Sequence, residues 1–488
     1  MMTRPGQVPP EEEQRRALRS ALEVADLTLE QVWTRFFALG GNADLLEVDG
    51  HLQGLIPLAS AEADVLAHTL NERLDELFTQ RRVPYSTPIR RRPPVSGPFA
   101  ALLHLVQAAH SAPPDRLAAL AAEAGAAMGV GVDVHVADHE QRRLWALCPA
   151  GGRSGESLPI DGSLPGRVFQ TVRPLPSEAG GVPRLWLPLL DGTERVGVLE
   201  VRVGSTVELY DPALRQECGW LAAMVGSLVV TMAQYGDGLE RARRNRPPTP
   251  SAELLWQQLP PLTAASDAFE LAGLLEPAYE AGGDAFDYSL SERSVSLAVF
   301  DAMGHGLPAG LLAAAALAAY RSARRDGRGI DDQARAIDEV VADAFPGSAF
   351  VTGVLAELDV GSGRLRYVSA GHPGPHLLRG GKVVKRLAGG RRVPFGLGDG
   401  ALTVAEEALQ PGDWLALHTD GVTEARDAAG AWFGEDRLVD LLSRQVAAGQ
   451  PPPETARRLV HAVLEHQHGL LQDDASVLLA RWVRDPRP

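Results

Sequence analysis

Four aspartates in the C-terminal half each stand where an apolar run meets a glycine-rich turn, a placement that gathers carboxylates at one edge of a sheet. Asp284 follows paired glycines in Gly282-Gly283-Asp284, where the backbone can turn tightly beside a carboxylate. Asp301 ends the run Val295 to Phe300 and opens Ala302-Met303-Gly304-His305-Gly306, ahead of a helix expected from near Pro308. Asp420 follows the run Trp414 to Leu417 and precedes Gly421-Val422-Thr423-Glu424, and Asp473 stands just before Asp474-Ala475-Ser476 and a strand over Val477 to Trp482. A buried strand that ends in a carboxylate needs a partner for the charge, and a cation is a natural one. Carboxylates and water are the ligands that Mg²⁺ and Mn²⁺ prefer, and no Cys or His cluster has zinc-ligand spacing. One acidic turn is structural; four of the same kind point to a cation site.

The elements that must position these residues belong to a chain of 488 residues, enough for three folded units at about one per 150 residues. An apolar fraction of 45% and a charged fraction of 22% are those of a globular protein. The net charge of −15 argues against nucleic acid or an anionic membrane surface as a general partner. Cys148 and Cys218 read as small core residues. The polar stretch Met1 to Arg19 lacks the apolar segment of a signal peptide, so a cytoplasmic location is expected. The longest apolar run, Gly219 to Ala233, is shorter than the ~20 residues that span a bilayer and reads as a buried amphipathic helix.

Along the chain, residues 1–19 read as a disordered tail and 20–80 as a small helical domain, with Thr28 as N-cap of Leu29 to Leu39 and further helical pattern over Leu45 to Leu55 and Glu62 to Phe78. Residues 81–98, rich in proline and carrying Arg90-Arg91-Arg92, read as an extended linker. Residues 99–235 show a helix, a second helix, short strands to about Val203, then the long helix Pro212 to Tyr235. Residues 236–262 form a linker and a short capped helix, Ser251 to Leu259, feeding a last domain over 263–485.

That last domain resembles the metal-dependent protein phosphatase (PPM) family in its bacterial SpoIIE/RsbU-like branch. The resemblance runs from Leu254 to Trp482 through the aspartate motifs and through Ser369-Ala370-Gly371-His372-Pro373-Gly374-Pro375, Val393-Pro394-Phe395-Gly396-Leu397-Gly398 and Gly421-Val422-Thr423-Glu424-Ala425-Arg426-Asp427 with Phe433-Gly434. It implies an α-β-β-α sandwich, and two divalent cations, Mn²⁺ or Mg²⁺. By the family's motifs Asp301 bridges both ions, Asp420 and Asp473 complete one site, and Asp284 with the Ala302 carbonyl serves the other. Asp301 and Asp420 are then the catalytic aspartates, and paired metals acidify a water that attacks the phosphorus of a phosphoserine or phosphothreonine in line. The wider family places a histidine two residues after the bridging aspartate; here that residue is Met303, and His305 reads equally as a turn residue. His372 and His418 read as hydrogen-bonded core histidines, and Asp287, Glu424, Asp427 and Asp474 as carboxylates beside the ligands or in solvent.

Residues 99–235 resemble a GAF sensory domain, on Gly162-Ser163-Leu164-Pro165-Gly166-Arg167-Val168-Phe169-Gln170-Thr171 and Leu187-Pro188-Leu189-Leu190-Asp191-Gly192-Thr193-Glu194-Arg195-Val196-Gly197-Val198-Leu199. The resemblance leaves open a small-molecule ligand or a ligand-free dimerisation module, and it implies a homodimer. The fold class expected is therefore α+β multidomain, with the phosphatase sandwich last, a GAF-like α/β domain in the centre and a small helical region first. The branch implies a phosphorylated STAS-type anti-anti-sigma protein as substrate and the 205–260 region as the route from sensor to active site. The rivals are an inactive phosphatase-fold scaffold or ligand sensor, and a two-metal enzyme acting on a small phosphorylated metabolite.

Overall fold

The computed structural model describes residues 10–76, 83, 97–276, 279–280, 282–345, 347, 349–398, 402–469 and 471–483. Among the described residues the first compact unit holds four helices: α1 (Pro10–Ala25), α2 (Leu29–Ala38), α3 (Leu45–Gln53) and α4 (Ser60–Glu76). Capping boxes start two of them, Thr28 with Gln31 on α2 and Asp44 with Glu47 on α3. The stretch read as a disordered tail is corrected here: the helix begins at Pro10, because Gln14, Leu18, Ala21 and Ala25 recur at helical spacing and are buried. Of the Pro/Arg-rich linker 81–98, only Val83, Gly97 and Pro98 lie within the described residues, and Asn71 exchanges two hydrogen bonds with the Val83 backbone at 3.1 and 2.7 Å.

The second unit begins with α5 (Pro98–Ser111) and α6 (Leu117–Ala127), followed by β1 (Gly131–Ala137), β2 (Arg143–Leu147), β3 (Arg153–Pro159), α7 (Leu164–Thr171), β4 (Leu175–Ser177), β5 (Arg184–Asp191), β6 (Glu194–Arg202) and α8 (Pro212–Ala233). The strands form an antiparallel sheet in the order β3-β2-β1-β6-β5-β4. Alternation decides the faces: Val132, Val134 and Val136 join the core under α5, α6 and α8, whereas Ala137, Trp186 and Val198 meet Val168 and Phe169 of α7. The apolar α8 is long enough to cross a membrane, but its buried stripe, Cys218 to Met232, packs on the sheet. Gly226 permits the approach, since a Cβ there would meet the Leu190 carbonyl at 2.2 Å.

Two short helices follow, α9 (Gly238–Arg243) and α10 (Pro250–Gln258). Next come β7 (Thr263–Ser266), β8 (Phe269–Glu276), β9 (Asp284–Leu290), β10 (Ser294–Ala302), α11 (Gly306–Arg325), α12 (Ile330–Ala344), β11 (Val351–Asp359) and β12 (Arg364–Ala370). The chain ends in β13 (His376–Arg379), β14 (Lys382–Arg386), β15 (Arg391–Arg392), β16 (Ala405–Ala408), β17 (Trp414–His418), α13 (Asp420–Thr423), α14 (Gly434–Ala447), α15 (Pro452–His466) and β18 (Ala475–Trp482). One sheet runs β15-β12-β11-β10-β9, with β16 also on β12, and the other runs β14-β13-β17-β18-β8-β7. Helices α11 and α12 cover the first and α14 and α15 the second, giving the α-β-β-α sandwich within an α+β multidomain chain.

Asp287 of β9 carries a different task from the one its position suggested. It is buried and held by Arg321 at 2.7 Å and Arg324 at 2.9 Å, which bolts α11 onto the first sheet. Asp287→Ala would strand two partly buried guanidiniums and is expected to lower stability by about 2–3 kcal/mol in chemical denaturation.

Candidate metal centre

The antiparallel register of β9 on β10 sets Asp284 directly across from Asp301. Both lie at the end of the sheet where the Gly282-Gly283 loop enters and the Gly304-His305-Gly306 loop leaves. A Cβ on Gly283 would come within 2.5 Å of the Ala302 carbonyl oxygen, so only glycine lets the loop lie against that carbonyl. From the second sheet, Asp420 opens α13 directly after β17, and Asp473 precedes β18, the strand paired with β17. A Cβ on Gly421 would strike the Asp474 carbonyl oxygen at 1.8 Å, which presses the Asp420 turn against the Asp473-Asp474 loop.

The structure thus brings together all four aspartates singled out by their motifs. Asp301 is pushed up to about 7, first by desolvation, then by the charges of Asp420 and Asp473 and also of Asp474. Asp284 is raised by burial, then by Asp474 and Asp301. Asp420 is raised by burial, then by Glu424 and Asp473. Hydrogen bonds soften this only in part: Thr352 Oγ1 lies 3.4 Å from Asp301 Oδ2, and the Thr419 hydroxyl donates to Asp284 Oδ2 at 2.6 Å. The Ser476 N–H in turn donates to Thr419 Oγ1 at 3.0 Å, locking its orientation.

Two neighbours of the ligands have defined tasks: Asp474, read from sequence as a carboxylate beside the ligands or in solvent, and Thr419, which no motif singled out. Asp474 is buried, and its Oδ2 accepts the N–H groups of Gly282, Gly283 and Asp284 at 2.6, 2.8 and 3.2 Å. It therefore shapes the loop that presents Asp284. Thr419 sits inside the quoted His418-Thr419-Asp420 motif, and its only sequence signal is adjacency. Thr419→Val is expected to cost about 1–2 kcal/mol of stability and to weaken Mn²⁺ binding in calorimetric titration, because Asp284 loses its donor while staying buried.

The histidines behave as core residues. His372 donates through Nε2 to the His418 carbonyl at 3.0 Å, which leaves Nδ1 to accept from the Thr352 hydroxyl at 2.8 Å, and burial drives it down to about 3, a neutral ring at physiological pH. His418 is buried, stacked on His376, and lowered by desolvation. His305 is the N-cap residue of α11 without a side-chain capping bond, and Met303 is exposed. Asp427 is a turn residue that accepts the N–H groups of Ala429 and Ala431.

A divalent cation fits this donor set. Four carboxylates share one partly dehydrated corner, and the charges of Asp420, Asp473 and Asp474 all raise Asp301. Among the described residues no three His, Cys, Asp or Glu side chains already close on one point as a finished coordination shell, so the fit is one of donor chemistry and shared charge.

Residues 291–483 match the sequence profile of SpoIIE, Stage II sporulation protein E. The chain is 24% identical over 217 residues to the phosphoserine phosphatase RsbU of Bacillus subtilis, covering 44% of this chain and 64% of that protein. It is 27% identical over 131 residues to protein IcfG of Synechocystis, covering 27% of this chain and 20% of that one. Thus it spans less than two thirds of the length of either relative. Among solved structures it is similar to the SiaA-PP2C domain of Pseudomonas aeruginosa, at 23% identity and a TM-score of 0.41, covering 48% of this chain and 94% of that one. Profile and relatives agree on where the likeness lies: residues 291–483 are similar to the SpoIIE-type PPM phosphatase domain.

Proposed function

We propose that this protein is a metal-dependent protein serine/threonine phosphatase acting on a signalling phosphoprotein. The observation that carries the reading is the convergence of Asp284, Asp301, Asp420 and Asp473, each raising another's charge cost in a corner that a divalent cation would neutralise. Asp301 would bridge two ions, Mn²⁺ or Mg²⁺, with Asp420 and Asp473 on one and Asp284 and the Ala302 carbonyl on the other. Bound there, the pair supplies an acidified water as nucleophile and offsets the charge that develops on the phosphoryl group. The chain's own residues keep the ligands in place: Thr419 holds the Asp284 carboxylate, and Asp474 holds the loop before Asp284.

The likeness to the relatives supports a phosphoprotein as the substrate class. RsbU is a phosphoserine phosphatase, and a phosphorylated STAS-type anti-anti-sigma protein in a partner-switching pathway is the substrate we assign to this chain. The GAF-like domain, as a homodimer with or without a small ligand, would set the activity through residues 205–260. Supporting that route, Ser251 in the first turn of α10 donates to the carbonyl of Gly282 or of Gly306, each at 3.1 Å, the loops on either side of Asp284 and Asp301. Leu255→Pro breaks α10 where Leu255 is fully buried, and turnover is expected to fall at least about tenfold. Unchanged turnover would remove α10 from the route.

The test of the activity is hydrolysis of p-nitrophenyl phosphate by the full chain with Mn²⁺, with Mg²⁺ and with chelator, followed by a phosphoserine STAS protein against phosphorylated metabolites. Metal-dependent turnover with preference for the phosphoprotein is expected. No turnover with either metal would favour the scaffold reading, and preference for a metabolite would move the substrate class.

A further inference from the structure

Beyond α10 and the Thr263 hydrogen bonds to Thr193 and Glu194, a connection through α15 joins the GAF-like domain to the phosphatase domain, and nothing in the motifs announces it. Arg457 of α15, with its side chain 1% exposed, makes two bidentate pairs. One is with Glu454 on its own helix, at 2.9 and 2.9 Å. The other is with Asp161 of the GAF-like domain, at 2.9 and 2.7 Å. Arg195 of β6 stacks on Phe169 of α7 and lies 3.7 Å from Glu454, and His461 of α15 reaches the Glu140 carbonyl at 3.1 Å.

The two carboxylates on Arg457 are not equivalent. Glu454 is 0% exposed and cannot leave without stranding buried arginines, whereas Asp161 is 65% exposed, beside a cleft of about 500 Å³ lined by Arg142, His461 and His468. Asp161 can therefore exchange Arg457 for water while Glu454 keeps the guanidinium neutralised. Such a contact opens without a buried unpaired charge, which is what a two-state element requires.

Each side of the contact leads somewhere. Asp161 also accepts a hydrogen bond from Gln170 of α7 at 2.7 Å, and α7 covers the sheet face that holds Trp186 and Val198. On the other side, α15 packs on β8 and β18, and β18 starts directly after Asp473-Asp474. We propose that Asp161–Arg457 is a detachable latch through which α7 of the GAF-like domain biases α15, β18 and the Asp473-Asp474 loop, independently of the α8 to α10 route.

The test uses the full chain with Asp161→Asn, a surface-facing change that leaves the Arg457–Glu454 pair intact. Amide hydrogen exchange is expected to quicken at least about fivefold in α15 and in residues 471–478, with α10 unchanged, and Mn²⁺ affinity to shift in calorimetry. Arg457→Lys keeps a charge for Glu454 but loses the forked pairing, and adding Asp161→Asn to it should change nothing further. Faster exchange confined to residues 159–172, or effects of the two substitutions that simply multiply, would overturn the latch. The latch rests on the phosphatase reading only for its consequence on turnover; the exchange readout decides it even if no substrate is hydrolysed.

Discussion

Asp301→Asn is expected to lose at least about 10³-fold in Mn²⁺-dependent p-nitrophenyl phosphate turnover while the metal-free protein becomes more stable. The two effects share a cause. Desolvation, then Asp420, Asp473 and Asp474, lift the Asp301 carboxyl from its ordinary 3.8 to about 7. A carboxyl raised in the folded state opposes folding once the unfolded chain can ionise it. Its destabilisation grows as pH climbs from about 4 through about 7 and is complete above that, so the asparagine variant should gain roughly 1–3 kcal/mol at pH 8 without metal. Saturating Mn²⁺ reverses the order. A hundredfold excess over Kd stabilises the wild type by about 2.7 kcal/mol, and the variant, lacking the shared ligand, gains little. Thermal melts with Mn²⁺ and with chelator should therefore cross over. A variant whose melting still rises with Mn²⁺ as the wild type's does would remove Asp301 from the centre.

What could be read from sequence was whatever a short segment decides by itself. Asp284 opens a strand after paired glycines, Asp301 lies at the end of one, Asp420 follows one just before Gly421 and Asp473 stands two residues ahead of one, and those placements are local; so is the Thr28 cap, whose hydroxyl needs only the N–H three residues on. The polar composition of α1 hid a helix, because its buried stripe is made of Gln14, Leu18 and alanines and has meaning only against a partner surface. Asp287 read as a carboxylate beside the ligands or in solvent because Arg321 and Arg324 lie more than 30 residues away on a helix that must fold back over the sheet. The Asp161–Arg457 pair is separated by 296 residues, and no local pattern could join them.

Neighbouring acids with opposite tasks supply the second large effect. Asp474→Ala is expected to lower stability by about 3 kcal/mol or more in urea denaturation, because the Gly282, Gly283 and Asp284 N–H groups lose their shared acceptor inside the protein. Removing a like charge from the corner offsets part of that loss, so the sum of three separate hydrogen bonds is an upper bound. Asp474→Asn keeps an oxygen for those N–H groups and should recover most of the stability. Asp473→Asn should show the reverse pattern: an almost unchanged denaturation midpoint without metal, and a loss of Mn²⁺ response and turnover comparable to that of Asp301→Asn. The adjacent pair is thereby sorted by chemistry. If Asp474→Asn abolishes the Mn²⁺ response while Asp473→Asn preserves it, the ligand is Asp474, and the loop before Asp284 is shaped by the same cation that the corner holds.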